Sequence, residues 1–341
     1  MPVRTRPTLS DVAREAGVSL ATASRAINGS PTRTVRADLR ERVLEAAARL
    51  EYTPDANAQA MARGQTTSVG LVVHDVADPY FSTIAAGVTA AADDVGLAVT
   101  LAETRHDPRR EVDLVELLHR QRARAIVLAG GRLGGADRAE ELTRAIAGHR
   151  RSGGGVALIG QPLPEVPAVA LDNSGGAAAL ARALHDAGHR RFGVIAGPAD
   201  HLTARHRQAG FREALAELGT AAAPEHVVPS EFSRDGGYAG MTALLPHLGE
   251  LDVVFAVTDL MAVGAMAAVR DAGLTVPTDV GVAGFDDIPT LRDITPGLTT
   301  VRVPLREIGA QALQLALALE QEPRVVVVRG EVVLRDSTAR P

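Results

Sequence analysis

From Val69 onward, short β-branched runs alternate with helix-period segments: VGLVV, an Ala-rich helix near 81–95, LAVTLAE, a helix near 108–121, AIVLAG, GVALIG and AVALD. The pattern goes on through a helix near 175–187, RFGVIAG, a helix near 204–218, VVFAVT, a helix near 259–272 and VGVAGFDD. Repeated strand–helix units build parallel sheets with helices on both faces. The series is too long for one comfortable sheet, so two lobes are expected over residues 67–341. The last helix, near 305–321, and the strands VVVVRG and EVVLR are expected to complete the second lobe.

Ligands in such folds sit beyond the carboxyl ends of the strands. Those ends read HDVADPYF, LDNSGG, GPADHLTARHR, VTDLMA and GFDD, and they supply Asp75, Asp78, Asp172, Asp259, Asp286, Arg205 and Arg207. Tyr80, Phe81 and Phe232 add flat apolar surfaces. Carboxylates and arginine can hold hydroxyl groups in fork-like pairs while aromatic rings cover C–H faces, which suits a polyhydroxylated ligand. Each Asp has an equally good reading as a helix cap or turn former, Asp259 and Asp287 in particular.

Enzyme chemistry finds little support. There is no G-x-S-x-G and no P-loop, and neither RSGGGV nor NSGG completes a dinucleotide fingerprint. With no cysteine there is no thiolate nucleophile or thiolate metal site. Among the histidines, His201 and His206 are poorly spaced for one helix face, and His185 and His189 flank Gly188 at a helix end, where capping is the better reading. No metal or cofactor is expected. No apolar stretch is long enough to span a membrane, and the N-terminus has basic residues but no apolar segment of a secretory signal.

Residues 1–65 differ from the rest. They hold ten arginines against seven acids, a net of +3, whereas the remainder holds 26 arginines against 34 acids, a net of −8; lysine is absent throughout. A mildly basic head on an acidic body suits a local anionic partner. Thr8-Leu-Ser-Asp11 is a capping box opening a helix with Leu9, Val12, Ala13 and Ala16 on one face, and Gly17 ends it. Ser19 caps a second helix, SLATASRAI, with Ala23 and Ile27 facing in. Helix, glycine corner and capped helix make a helix-turn-helix, whose second helix enters the DNA major groove. There Ala21 and Ala23 keep the backbone slim, Ser19, Thr22 and Ser24 can bond phosphates, and Arg25 can reach a guanine. A helical hairpin packed on the rest of the chain would share this spacing. A third helix, near 35–50, closes a three-helix core. After Pro54, DANAQAMAR (55–63) is either a marginal helix formed only with a partner or a plain linker.

TLSDVAREAGVSLATASRAING, followed by ARLEYTPDANAQAMARGQTTSVG, resembles the head of the lactose-repressor (LacI/GalR) family, whose T-x-x-D-V-A-x-x-A-G-V-S-x-x-T-x-S-R-x-x-N pattern it matches at nearly every fixed place. DPYFSTIAAGVTAAADDVG, LDNSGG, AGHRRFGVIAGP, RHRQAGFREAL, TDLMAVGAM, VAGFDDIPTLRDITPGLTTVRVP and VVLRDST extend the resemblance, in family order, over nearly the whole chain. It implies a helix-turn-helix head (1–53), a hinge helix and linker (54–66), and a two-lobed, periplasmic-binding-protein-like effector and dimerisation domain (67–341). Leu20, Ala21 and Arg25 would be the main base readers, and Thr8, Asn28 and Ala58 further DNA contacts. Met61 would stand in the minor groove where the family usually has a leucine wedge.

For the effector, the resemblance puts Arg207 and Asp286 first, with Tyr80, Phe81 and Phe232 lining the pocket and Asp172 next. His74, Asp75, His201, Thr203 and Thr258 complete the set. Where members often carry Asn-Asp, this chain has Thr258-Asp259. The expected function is a dimeric transcriptional regulator, a repressor, on pseudo-palindromic operator DNA, cytoplasmic and controlled by a small sugar-like effector. The chain stops soon after VVLRDSTARP without the extra heptad helix of tetrameric members, so a homodimer is expected. The rivals are a solute-binding protein without DNA function and an enzyme acting on a sugar.

Overall fold

The structure, a computed structural model, describes residues 7–29, 34–53, 66–134, 136–318 and 323–339. The chain divides into two compact units, Met1–Thr66 and Thr67–Pro341.

The first unit holds helices α1 (Leu9–Glu15), α2 (Leu20–Asn28) and α3 (Ala37–Arg49). Its caps are the ones the sequence spells. Thr8 Oγ1 accepts from Asp11 N at 3.3 Å while Asp11 Oδ2 accepts from Thr8 N at 2.9 Å, and Ser19 Oγ accepts from Thr22 N at 3.1 Å. Gly17 turns the corner at φ +63°. Val12, Ala13, Ala16, Ala23, Ala26, Val43 and Ala46 form a core of small side chains, with Ile27 and Leu50 packed partly against it. So small a core needs help, and Arg42 Nη2 supplies some by donating 2.6 Å to Ala16 O across the bundle.

The second unit begins with β1 (Ser68–Val73), α4 (Pro79–Asp93), β2 (Ala98–Glu103), α5 (Pro108–Arg120), β3 (Ala125–Ala129), α6 (Ala136–Arg151), β4 (Gly155–Ile159) and β5 (Ala168–Leu171). It continues with α7 (Asn173–Asp186), β6 (Phe192–Ala196), α8 (Leu202–Glu217), β7 (Val227–Pro229), α9 (Arg234–Leu244), β8 (Val253–Ala256), α10 (Asp259–Asp271) and β9 (Gly281–Ala283). Last come β10 (Thr300–Arg302), α11 (Leu305–Ala318), β11 (Val325–Val328) and β12 (Glu331–Val333). Two parallel sheets result, ordered β11-β5-β4-β3-β1-β2 and β7-β6-β8-β9, with β10 and β12 paired antiparallel as a small third sheet. Central strands such as β3, β4 and β6 are buried along their whole length, because helices cover both faces.

Two expectations need correction. The last helix and VVVVRG do not complete the second lobe: α11 packs on α4 and β4, and β11 pairs with β5 at the edge of the first sheet, while β12 pairs with β10. A tryptic-length stretch of local pattern cannot reveal this, since lobe membership depends on where the chain crosses back. The segments α6, β7 and α9 also escape the hydrophobic alternation. In α9, Gly236, Gly237 and Gly240 argue against a helix on propensity, yet glycine is what lets it meet α10 backbone to backbone. A Cβ at Gly237 would lie 2.0 Å from Met261 O, and one at Gly264 1.8 Å from Arg234 O. Among the described residues no helix is long and apolar enough to cross a membrane.

Candidate functional site

The carboxyl ends of the two large sheets face one cavity of about 60 Å³. The first sheet contributes His74 after β1, Asp78, Tyr80 and Phe81 at the start of α4, His106 after β2 and Gly131 after β3. The second contributes His201, Thr203 and Arg207 from the start of α8, Phe232, Thr258 after β8 and Asp286 after β9. His74, His106, Gly131 and His201 also wall a larger space of about 690 Å³ on the side of α5 and α6. The smaller cavity carries the convergent polar groups, and through these four shared residues it adjoins the larger space.

Arg207 and Asp286 anchor the site. Both are almost fully buried, and Arg207 Nη2 and Nη1 donate to the two oxygens of Asp286 at 2.7 and 3.1 Å. Arg207 Nε donates to Asn173 Oδ1 at 2.8 Å and Nη1 to Val257 O at 2.8 Å, and the guanidinium lies 3.9 Å over the Phe285 ring. Of five guanidinium hydrogens, one on Nη2 remains, and each Asp286 oxygen keeps lone-pair capacity. The pair therefore offers a donor and acceptors side by side, the pattern that grips adjacent hydroxyls. Burial raises the Asp286 pKa, and Arg207 opposes that rise. Asp286 sits at φ +123° and Asp287 at φ +55°, a turn that L-residues rarely adopt. It is held by Asp286 N to Val301 O (2.9 Å) and by Asp287, which accepts from Arg302 Nε and Arg335 Nη2 at 2.7 Å each.

The histidines are neutral parts of the wall. His74 Nε2 faces Gly131 O at 2.9 Å, and a carbonyl only accepts, so Nε2 carries the proton and Nδ1 accepts from Thr104 Oγ1 at 2.8 Å. Burial lowers the pKa of His74 to about 4 and of His201 to about 3. His201 Nδ1 is buried without a hydrogen-bond partner, and its ring stands edge-on to Phe232 at 4.5 Å. Asp78 caps α4 through Tyr80 N at 2.9 Å, and burial raises its pKa to about 6.

Of the residues assigned to the effector, His74, Tyr80, Phe81, His201, Thr203, Arg207, Phe232, Thr258 and Asp286 meet at the cavity. Asp172 does not: its Oδ1 accepts from Gly175 N at 2.9 Å and caps α7. Asp75 turns away to accept from Ala77 N at 2.8 Å. The cap of α10 is Thr258, whose Oγ1 accepts from Met261 N at 3.3 Å, rather than Asp259. Asp259 is fully buried instead, accepting from Thr300 Oγ1 at 2.5 Å and Ile288 N at 2.9 Å. His106, Gly131 and the orienting Asn173 went unread. Asn173 and Gly131 each follow a strand end, the one signal that could have flagged them.

In the head, Ser19, Leu20 and Ala21 are exposed at the start of α2, Leu20 at 52%. Arg25 lies half-buried on the same helix; its carbonyl accepts from Gly29 N at 3.0 Å, while its guanidinium makes no hydrogen bond or ion pair among the described residues. Ser24 Oγ accepts from Asn28 Nδ2 at 3.4 Å. Residues 54–65, with Ala58 and Met61, lie outside the described residues.

A helix-turn-helix joined to a two-lobed binding body defines a DNA-binding regulator of ligand-responsive type. Residues 8–55 match the model of the bacterial regulatory proteins of the lacI family, and residues 181–338 that of a periplasmic binding protein-like domain. The HTH-type transcriptional regulator GalR of Escherichia coli K12 is 38% identical over 340 residues, 98% of this chain and 96% of GalR. A transcriptional regulator CelR–cellobiose complex matches with TM-score 0.70 at 32% identity, over 97% of this chain and 100% of that one. The lac repressor dimer bound to operator and the anti-inducer ONPF matches with TM-score 0.84 at 25% identity, over 98% of this chain and 100% of that one. The chain belongs to the lacI family, and it is a transcriptional regulator rather than an enzyme.

Proposed function

We propose that the protein is a homodimeric repressor that binds a pseudo-palindromic operator in the cytoplasm and is controlled by a neutral sugar or sugar derivative in the cavity between its lobes. The observation that carries the effector class is the buried Arg207–Asp286 pair, turned toward a cavity walled by Tyr80, Phe81 and Phe232. Hydroxyls would exchange with Thr203, Thr258 and Asp78, while the rings cover the apolar face of the sugar. Binding of the effector shifts the lobes about this cavity. The segment 54–66, expected from the sequence to be a hinge that is helical only with a partner, would carry that change to the head. The cellobiose-bound CelR supports a sugar as the ligand, and the operator-bound lac repressor dimer supports a dimer on DNA.

A thermal-shift panel of neutral mono- and disaccharides tests the effector class. One compound should raise the melting temperature of the wild type and release it from operator, and should do neither with folded Arg207→Ala. A panel that leaves the wild type unchanged, alongside a clear shift from a non-carbohydrate metabolite, would overturn it. The rival reading, a solute-binding protein without DNA function, predicts no salt-dependent affinity for random duplex DNA, whereas several phosphate contacts give a steep log–log slope.

A further inference from the structure

In the second lobe, away from the cavity, two short 3-10 turns face each other. One, Pro224–His226, leads into β7; the other, Leu245–Glu250, precedes β8. Residues three apart eclipse in a 3-10 helix, so His247 and Glu250 stand on one side of their turn, opposite His226. The donor atoms of these three side chains lie within 4.8 Å of one another. His226 Nε2 is 3.2 Å from Glu250 Oε2, and the rings of His226 and His247 are 5.3 Å apart.

His226 is the informative member. It is only 7% exposed, and its Nε2 is buried yet has no hydrogen bond of acceptable geometry, even with the Glu250 oxygen so near. A buried ring nitrogen that misses its neighbour's line is poorly used as an ion pair and well used as a ligand to a point between the two. Metal–nitrogen and metal–oxygen bonds of about 2.0–2.2 Å put neighbouring ligands of a tetrahedral ion roughly 3.3–3.6 Å apart, a little wider than the 3.2 Å between His226 and Glu250. His247 and Glu250 are partly or fully exposed and free to close the remaining distance.

We propose that His226, His247 and Glu250 form a three-ligand site for a divalent transition cation of the zinc class. Two imidazoles and a carboxylate suit Zn²⁺, Co²⁺ or Ni²⁺ and not Mg²⁺ or Ca²⁺, and a fourth position stays open to water. The cation would clip the turn entering β7 to the turn entering β8 and so brace the edge of the second sheet. None of the three residues lines the effector cavity, so the site stands independently of the effector reading.

The test uses the full chain stripped of metal with a chelator. Zn²⁺ titration by calorimetry should show one site per chain, and Co²⁺ should give the intense visible absorption of tetrahedral coordination. His247→Ala and Glu250→Gln change surface side chains and leave the fold intact. Each should weaken Zn²⁺ binding at least tenfold and abolish the Co²⁺ bands, with Mg²⁺ inert in all proteins. Equal Zn²⁺ affinity in wild type and both variants, or only the weak spectrum of octahedral Co²⁺, would overturn the proposal.

Discussion

Arg207 and Asp286 sit where removing either partner leaves the other charged and buried. Arg207→Ala should lower stability by about 3–5 kcal/mol, while Arg207→Ala combined with Asp286→Ala should lose far less than the two single losses added. Denaturant unfolding of the four proteins measures this, and strict additivity would show the pair to be uncoupled. Asp78 makes a prediction about pH. Its folded pKa, about 6 against 3.8, means the folded state holds the proton more tightly than the unfolded chain. Below pH 4 both states are protonated and nothing is lost. Between pH 4 and 6 the unfolded carboxyl ionises first, so this group's contribution falls, by at most about 3 kcal/mol. Buried Asp259, with a pKa raised to about 7, acts in the same direction. Asp78→Asn keeps a capping oxygen and should gain on the wild type as pH rises from 4 to 7; superimposable pH profiles would remove Asp78 as a source of the slope. Arg25→Ala should cost about 1–3 kcal/mol on operator and little on random DNA, read by competition binding. Equal losses on both would make Arg25 a phosphate contact.

At the scale of elements, α4 and α11 touch through glycine. A Cβ at Gly87 would lie 2.0 Å from Arg306 O, and one at Gly309 2.3 Å from Ile84 O. Gly87→Ala should therefore destabilise the body by roughly 1–3 kcal/mol, because backbone cannot yield as a side chain can. Gly148, inside α6, meets nothing nearer than Arg151 Nη2 at 3.9 Å. Gly148→Ala should stabilise by about 0.4–1 kcal/mol through the unfolded state and helix propensity. Thermal unfolding of both variants compares them directly, and a stable Gly87→Ala would mean that α4 and α11 can part without cost. Since α11 joins the first lobe after the chain has built the second, this contact also fixes where one crossover between lobes lands.

For the whole molecule, effector and operator act on one equilibrium, so their effects must be reciprocal. If the effector weakens operator binding by a given factor, operator weakens effector binding by the same factor. Calorimetric titration of effector with and without saturating operator checks this. Equal effector affinity in both would leave the cavity without a route to the head. The acidic body and mildly basic head fit this division of labour.

The amino-acid sequence by itself determined what depends on near neighbours along the chain. The Thr8–Asp11 box, the Gly17 corner and the Ser19 cap satisfy backbone donors within four residues, and the buried strands follow from apolar runs of five or six. The residues gathered at the cavity were legible in part for the same reason, because Arg207, Asp286 and the aromatics each follow a strand whose end faces it. Only the tertiary structure decided which acid serves which purpose. Asp172 and Asp286 look alike on the page, yet one faces a free amide three residues on and the other a guanidinium 79 positions away. It also decided that α11 and β11 return to the first lobe, and that His226 meets His247 and Glu250 across two turns. Such pairings rest on how separate elements pack, and no window of local sequence contains both partners.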